Sequence, residues 1–162
     1  MDMATRSSLI DYAALVRPDR VHSRLYTDPD IFQEELDRIW YREWVFVGHD
    51  SEVPNPGDYR TGYLGKQPII ITRGRDMQVR VLLNRCTHRG NTLCQTRSGN
   101  APTFTCSYHG WTFSCEGELQ GILFRDDYPP DFKREENGLF RVPRVALYRG
   151  FIFASMAKTG KS

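Results

Sequence analysis

Two short segments, each with one cysteine, one histidine and a glycine, constrain this chain more than any other feature. The first covers residues 86–90 (CTHRG) and the second residues 106–111 (CSYHGW), with seventeen residues between His88 and Cys106. Glycine lets the backbone turn sharply behind such side chains. The spacing therefore predicts two tight loops, each of which presents one sulfur and one imidazole to a shared metal centre.

A set of two cysteines and two histidines suits either a binuclear iron–sulfur cluster or a single zinc ion. Zinc modules usually pair their ligands as C-x₂₋₄-C and H-x₃₋₅-H, whereas each loop here carries one ligand of each type. The spacing therefore favours a [2Fe–2S] cluster over a structural zinc site. The expected ligands of both kinds of centre are the same four residues, Cys86, His88, Cys106 and His109.

The mixed ligand set also predicts the chemistry. Four thiolates would leave an oxidised binuclear cluster with two negative charges, and two neutral imidazoles in place of two thiolates remove that charge. An added electron then meets less repulsion. Clusters with this mixed set span about −150 to +300 mV, against about −400 mV for plant-type ferredoxins. The prediction is one-electron transfer rather than hydrolysis or group transfer.

Composition and charge narrow the class of protein further. The chain has 162 residues, of which 40% are hydrophobic and 26% charged, which is ordinary for one globular domain. A net charge of +2 is too small to indicate nucleic-acid binding. No apolar run is long enough for a signal-peptide core or a membrane-spanning helix. We therefore expect a cytoplasmic protein that binds neither nucleic acid nor membrane. The membrane-anchored iron–sulfur subunits of respiratory chains do not fit this expectation.

The rest of the chain predicts a helix followed by a mostly β domain. Asp28, Pro29 and Asp30 have the signature of a helix N-terminus, and apolar residues then recur at helical spacing, which predicts a helix over about residues 29–43. Short apolar runs separated by glycine-rich turns favour an antiparallel β-sandwich. The predicted strands are 44–47, 59–64, 68–72, 77–83, 103–106, 119–123, 142–148 and 151–154.

The two loops and their flanks resemble the Rieske domain of aromatic-ring-hydroxylating oxygenase alpha subunits. The most specific likeness is CTHRGNTLC followed by FTCSYHGWTFSCEGELQG, and it extends to the runs 39–44 and 148–154. The resemblance implies an antiparallel β-sandwich with two cluster-binding hairpin loops. It also implies an N-terminal tail over residues 1–20, the Rieske domain over 21–156 and a truncated C-terminal end over 157–162.

In that family the cluster receives electrons from a ferredoxin or a reductase. It passes them to a mononuclear non-haem iron in a C-terminal catalytic domain, where O₂-dependent hydroxylation of an aromatic ring takes place. His22 and His49 are too isolated to resemble that iron site and are expected to be ordinary surface or packing residues. The chain is thus expected to carry electrons but not to oxygenate a substrate alone. The alternative is a self-standing Rieske-type ferredoxin.

The resemblance also implies roles for the four ligands. Cys86 and Cys106 supply thiolates to the inner iron, and His88 and His109 bind the outer iron through one ring nitrogen each. The exposed imidazole edge is the expected electron exit. In the family, the second-loop histidine reaches a carboxylate in the catalytic domain of a neighbouring subunit.

Departures from the respiratory type of Rieske protein concern the residues around the ligands. Asn91 and Tyr108 stand where that type has a disulfide, so no disulfide is expected here. Trp111 stands where it has a serine that hydrogen-bonds a cluster sulfur, which predicts a potential toward the low end of the range. Arg89 and Trp111 are candidates for positioning or shielding the cluster, with ordinary loop packing as the alternative.

A run of arginines precedes and includes the first loop. Either these side chains form a basic patch that steers an acidic electron donor to the cluster, or they are solvated surface residues. Only Asp76 opposes them in this stretch. The arginines are at positions 73, 75, 80, 85, 89 and 97.

Three further groups of residues are expected to be structural. Cys94 and Cys115 do not fit a four-cysteine cluster and are predicted to be small buried apolar residues. The acidic residues between positions 124 and 138 alternate with basic ones, which predicts a solvated loop. Five aromatic residues at helix and strand spacing are predicted to lie in the hydrophobic core rather than in a substrate pocket. They are Trp40, Trp44, Tyr59, Phe151 and Phe153.

Overall fold

A computed structural model of the protein describes residues 10–160, so the first nine residues of the predicted tail and the last two residues of the chain lie outside the described part. The described residues begin with three short helices. They are α1 (Tyr12–Leu15), α2 (Arg24–Thr27) and α3 (Pro29–Glu35). The predicted cap of α3 is confirmed, because the Asp28 carboxylate accepts a hydrogen bond of 3.0 Å from the amide of Asp30. Across residues 10–160, no helix combines the length and apolar character that a membrane crossing needs.

The helix ends earlier than predicted, and its last turn is not α-helical. α3 continues into a π-helical turn, Leu36–Trp40, and no helix follows it up to residue 43. A π turn holds an extra residue, so it rotates the side chains that follow it away from the α-helical face. Leu36 is 1% exposed, whereas Trp40 is 40% exposed. The prediction that Trp40 belongs to the core is therefore wrong.

Within residues 10–160, ten strands form three antiparallel sheets, which confirms the predicted mostly β, antiparallel fold. The sheet orders are β1-β10-β9, β4-β3-β2-β5 and β6-β7-β8. The strands are β1 (Val45–His49), β2 (Asp58–Leu64), β3 (Gln67–Arg73), β4 (Val79–Leu83), β5 (Ser98–Asn100), β6 (Thr103–Thr105), β7 (Thr112–Ser114), β8 (Leu119–Gly121), β9 (Arg144–Tyr148) and β10 (Phe151–Ser155).

Two strands were not predicted, and both are three residues long. Ser98–Asn100 has the composition of a turn but pairs along the edge of β2, with Gly99 opposite Tyr59. Thr112–Ser114 directly follows the second loop and pairs with both β6 and β8. In both cases the pairing partner, rather than the local sequence, creates the strand.

Strand β3 separates two hydrophobic cores. Its side chains alternate, so Ile69 and Ile71 pack into one core and Ile70 into the other. The first core also holds residues of β1 and β10. The second core contains Cys86 and Cys106. The predicted metal ligands are thus built on one face of the central sheet.

The sheet formed by β1, β10 and β9 leaves aromatic side chains on its outer face. In β10, Ile152 and Ala154 are completely buried, and the alternation turns Phe151 outward, where it is 47% exposed and packs on Phe46. The core assignment of Phe151 is therefore wrong. The other three aromatic residues of that prediction, Trp44, Tyr59 and Phe153, are half-buried.

Candidate metal centre

The two predicted loops share one backbone arrangement. In loop 1 (residues 86–91), the amide of Gly90 donates to the carbonyl of Cys86 at 2.9 Å, and the amide of Cys86 donates to the carbonyl of Asn91 at 2.8 Å. Loop 2 (residues 106–111) closes with the equivalent pair of bonds, also at 2.9 and 2.8 Å. The two loops are therefore matching tight turns, in which the histidine stands two residues after the cysteine in loop 1 and three residues after it in loop 2.

The glycine of each loop is needed for this turn. Gly90 has a φ of +79° and Gly110 a φ of +69°, a conformation that other residues rarely adopt. At Gly110 a Cβ atom would also lie 2.5 Å from Cδ1 of Leu123. The expectation that the glycines turn the chain behind the ligands is confirmed.

A buried asparagine fixes the segment that follows loop 1. Asn84 is 4% exposed, and its side-chain oxygen accepts hydrogen bonds from the amides of Leu93 (3.1 Å) and Cys94 (2.9 Å). Its side-chain nitrogen donates to the carbonyl of Cys94 at 2.8 Å. One side chain at the end of β4 thus satisfies three backbone groups and ties down the return path of the loop.

The four predicted ligand residues come together between the loops. Cys86 and Cys106 are each 2% exposed, and their thiols are hydrogen-bonding neighbours. The imidazoles of His88 and His109 are half-buried, with ring centroids 4.7 Å apart. The sulfurs therefore lie inside the protein, and the imidazoles lie between them and the surface.

The ring nitrogens on the inner side of this site have no protein partner. Nδ1 of His88 and Nδ1 of His109 are both buried, and neither has a hydrogen-bond partner among the described residues. A buried polar atom without a partner costs roughly 1–3 kcal/mol, so two such atoms side by side require an explanation. Metal coordination supplies one.

The four donors lie in two pairs. The thiols of Cys86 and Cys106 are neighbours, and so are the imidazoles of His88 and His109. A binuclear cluster spreads its four ligands over two irons. Two thiols as neighbours and two imidazoles as neighbours fit that division.

Electrostatics keeps His88 in the form that binds metals. Burial lowers the pKa of His88, and the nearby His109 and Arg89 lower it further. A lowered pKa means that the ring is neutral at physiological pH. A neutral imidazole has a nitrogen lone pair available for a metal.

The environments of the two cysteines differ. Burial raises the pKa of the Cys86 thiol. Burial also opposes ionisation of Cys106, but the backbone amides of Tyr108 and His109 and the side chain of Asn91 outweigh it, so the pKa of Cys106 is lowered. The backbone amides of His88 and Arg89 reach the sulfur of Cys86 in the same way, so the side-chain donor from Asn91 is what distinguishes Cys106.

A comparison with protein families decides what kind of site this is. The family model described as the Rieske [2Fe-2S] domain matches residues 43–129, which is more than half of the chain and includes both loops. The chain belongs to the Rieske [2Fe-2S] domain family. The [2Fe–2S] cluster is accordingly its cofactor.

Similar proteins are oxygenase subunits. This Rieske domain is 40% identical over 147 residues to the biphenyl 2,3-dioxygenase subunit alpha of Rhodococcus jostii (strain RHA1), covering 90% of this chain and 32% of that protein. It is 42% identical to the large oxygenase component of the naphthalene 1,2-dioxygenase system of Ralstonia sp., again covering 90% and 32%. The structure of naphthalene 1,2-dioxygenase from Rhodococcus sp. bound to indole superposes with a TM-score of 0.85 at 33% identity, covering 99% of this chain and 36% of that one. The chain thus spans about a third of the length of these relatives.

Trp111 forms one wall of the site of this Rieske domain. It is 3% exposed, it stacks on His88, and its Nε1 donates to the hydroxyl of Tyr128 at 3.0 Å. The ring of Phe132 packs edge-on against the indole, with centroids 5.8 Å apart. The acidic residues of the 124–138 segment are exposed, as predicted. Sequence reasoning missed that two aromatic residues of this segment cover Trp111, although aromatic residues in an otherwise charged loop were a signal.

Arg89 lies at the surface, and its guanidinium is 6.0 Å from the ring centroid of Tyr108. Four of the six arginines lie in two separate places rather than in one patch. Arg73 and Arg80 make hydrogen bonds around the turn between β3 and β4, at the opposite end of β4 from loop 1. Arg85 and Arg89 are exposed on the loop 1 side.

The other candidate residues stay outside the site. His22 is exposed and its Nδ1 accepts from the amide of Arg24, while His49 caps a short 3₁₀ turn through Nδ1. None of the four cysteines, which all lie within residues 10–160, is paired in a disulfide. Cys115 is completely buried. Cys94 is half-buried, and burial raises its pKa to about 12.

Proposed function

We propose that this Rieske domain carries single electrons within an aromatic-ring-hydroxylating oxygenase. Cys86 and Cys106 hold the inner iron of the cluster, and His88 and His109 hold the outer iron. The observation that carries this assignment is the pair of buried, unpartnered Nδ1 atoms beside two buried thiols. Those atoms are the ones that coordination to iron would satisfy.

Each part of the chain has a task in this function. The bound cluster supplies reversible one-electron chemistry at a potential set by its ligands and their hydrogen bonds. The two loops hold the four donors on tight, hydrogen-bonded turns. Trp111 excludes water from one face of His88. The half-buried imidazoles provide the short path between the interior and the surface along which an electron leaves.

The surface beside His109 suits a docking partner. A cavity there is lined by Tyr108, Leu123 and Phe124, which are 60%, 54% and 77% exposed. Exposed apolar side chains next to a redox centre are typical of a protein contact. We assign this surface to the catalytic domain that holds the mononuclear non-haem iron, including that of a neighbouring subunit. The electron donor is a ferredoxin or a reductase.

The relatives and the thiols support a substrate class and a location. Relatives named for biphenyl and naphthalene support an aromatic compound as the substrate of the whole protein. Free cysteines support a reducing compartment, and hence the cytoplasm. The proposed Rieske domain covers residues 21–156, with residues 1–20 before it and residues 157–162 after it.

Sequencing the gene beyond codon 162, followed by a single turnover of the encoded protein, tests this function. We expect the coding region to continue into a segment with two histidines and one carboxylate as iron ligands. The reduced protein, mixed with O₂ and naphthalene, should then oxidise its cluster and form a hydroxylated product. A gene that ends near codon 162 and encodes a protein that passes electrons to a separate oxygenase would instead establish the self-standing carrier.

A further inference from the structure

Asn91, the last residue of loop 1, reaches across to the cysteine of loop 2. Its side-chain nitrogen Nδ2 lies 3.7 Å from Sγ of Cys106, a distance within the range of an N–H···S hydrogen bond. The same nitrogen is 3.3 Å from Oγ of Ser107 and 3.2 Å from the carbonyl oxygen of Thr92. We propose that Asn91 raises the reduction potential of the cluster by donating a hydrogen bond to the Cys106 sulfur.

The backbone of Asn91 fixes the place from which this side chain acts. Its carbonyl oxygen accepts a hydrogen bond of 2.8 Å from the amide of Cys86, the cysteine of its own loop. Asn91 is therefore tied to Cys86 through its main chain and to Cys106 through its side chain. It is also half-buried, so water competes only partly for its amide.

The direction of the effect follows from charge, and it rests on the proposed function because Cys106 must be a cluster ligand. Reduction adds one electron, supplied by the ferredoxin or reductase, and no bond is broken. The added negative charge spreads over the irons and their sulfurs. A hydrogen bond to a sulfur becomes stronger as that sulfur becomes more negative, so it stabilises the reduced form more than the oxidised form.

This donor differs from the other donors at the same sulfur. Apart from the thiol of Cys86, which is itself a proposed ligand, those are the backbone amides of Tyr108 and His109, which the turn of loop 2 provides whatever the side chains are. The donor from Asn91 belongs to a side chain of the opposite loop. It is the part of the sulfur environment that a substitution can remove without altering the turn that presents Cys106.

The test compares three variants of the cluster-containing protein by redox titration, with the EPR signal of the reduced cluster as readout. Asn91→Leu has a similar size and no donor, and Asn91→Asp has the same shape and a carboxylate in place of the amide. Ser107→Ala is the matched control, because it removes a competing acceptor and leaves the donor to Cys106. We expect Asn91→Leu to lower the equilibrium constant for reduction by about tenfold, a shift of about −59 mV for one electron. Asn91→Asp should lower the midpoint potential further than Asn91→Leu does, and Ser107→Ala should not lower the midpoint potential.

The possible outcomes separate this proposal from the proposed function. A wild-type protein without a cluster would overturn the proposed function itself. A cluster whose midpoint is unchanged in Asn91→Leu, or is lowered equally in Ser107→Ala, would overturn only the role of Asn91. If neither Asn91 variant keeps its cluster, the wild-type protein labelled with ¹⁵N at asparagine side-chain amides provides the answer. Pulsed EPR of its reduced state should show coupling to a labelled amide, and the absence of coupling would overturn the proposal.

Discussion

The rings of His88 and Trp111 lie face to face, with centroids 4.8 Å apart and ring planes 9° apart. Trp111 is itself 3% exposed. One face of a proposed iron ligand is therefore covered by an indole that is locked in the protein interior. This contact links the stability of the second hydrophobic core to the protection of the cluster.

Shortening Trp111 should expose the cluster and destabilise the fold. Trp111→Ala is expected to lower the free energy of unfolding by about 3–5 kcal/mol, because it removes a buried indole. Trp111→Ala should also lose the visible absorption of its cluster faster in air. Recording absorbance against time measures this rate. Tyr128→Phe is the matched control, since it removes only the 3.0 Å hydrogen bond to the indole and should cost about 1 kcal/mol. Equal bleaching rates in both variants would contradict the shielding role.

Replacing a neutral ligand by a charged one should lower the potential. His109→Cys is expected to keep a cluster but to add one negative charge, which makes reduction harder. The midpoint should move from the low end of the Rieske range toward the plant-type value of about −400 mV. A redox titration followed by visible circular dichroism measures this shift. An unchanged midpoint would count against the charge argument for the mixed ligand set.

Asn84 should control how firmly loop 1 is held. Asn84→Leu leaves the buried amides of Leu93 and Cys94 without their acceptor, which costs about 1–3 kcal/mol for each buried group. We expect faster loss of the cluster, followed by visible absorption, and a lower unfolding temperature, measured by thermal melts. Asn84→Asp keeps the acceptor and should cost less than Asn84→Leu. A larger loss of stability in Asn84→Asp than in Asn84→Leu would refute this role of Asn84.

The ligand loops were predictable because their information is local. One cysteine, one histidine and one glycine at fixed spacing specify a turn and its donors without reference to the rest of the chain. The contacts around the loops depend on distant segments and were not predictable in this way. Tyr128 and Phe132 reach Trp111 from another segment, and Asn91 meets Cys106 across two loops.

Element types were easier to predict than element ends and exposed faces. The cap at Asp28 follows from its own side chain, so the start of α3 was correct. The π turn that moves Trp40 outward depends on packing beyond the helix, and the helix pattern alone does not contain it. Phe151 and Ile152 have equally apolar side chains, so only the position of the sheet decides which of them is buried.

Acid should remove a stabilising contribution from Asp58. Hydrogen bonds from the side chain of Asn100 and from Asn55 hold the pKa of Asp58 below its ordinary value of 3.8. A lowered folded-state pKa stabilises the protein fully above about pH 4, and the contribution disappears as pH falls through the lowered value. Because solvent screens this site, Asp58→Ala should cost no more than about 1 kcal/mol at pH 7.

Urea titrations of wild type and Asp58→Ala at pH 7 and pH 3 check this behaviour. The difference in the free energy of unfolding between wild type and Asp58→Ala should be smaller at pH 3 than at pH 7. Asp131→Ala, at an exposed position of the acidic loop, is the control and should show little difference at either pH. If Asp58→Ala lost more unfolding free energy at pH 3 than at pH 7, the proposed contribution of Asp58 would be contradicted.

The most direct test of the account is metal and sulfide analysis of anaerobically purified protein, together with its visible absorption and the EPR spectrum of the reduced state. We predict a coloured protein with two irons and two acid-labile sulfides per chain and a reduced-state signal of the Rieske type. Substituting His88 or Cys106 should abolish both the colour and the signal. A colourless folded protein that binds a single zinc ion, or no metal, would contradict the assignment.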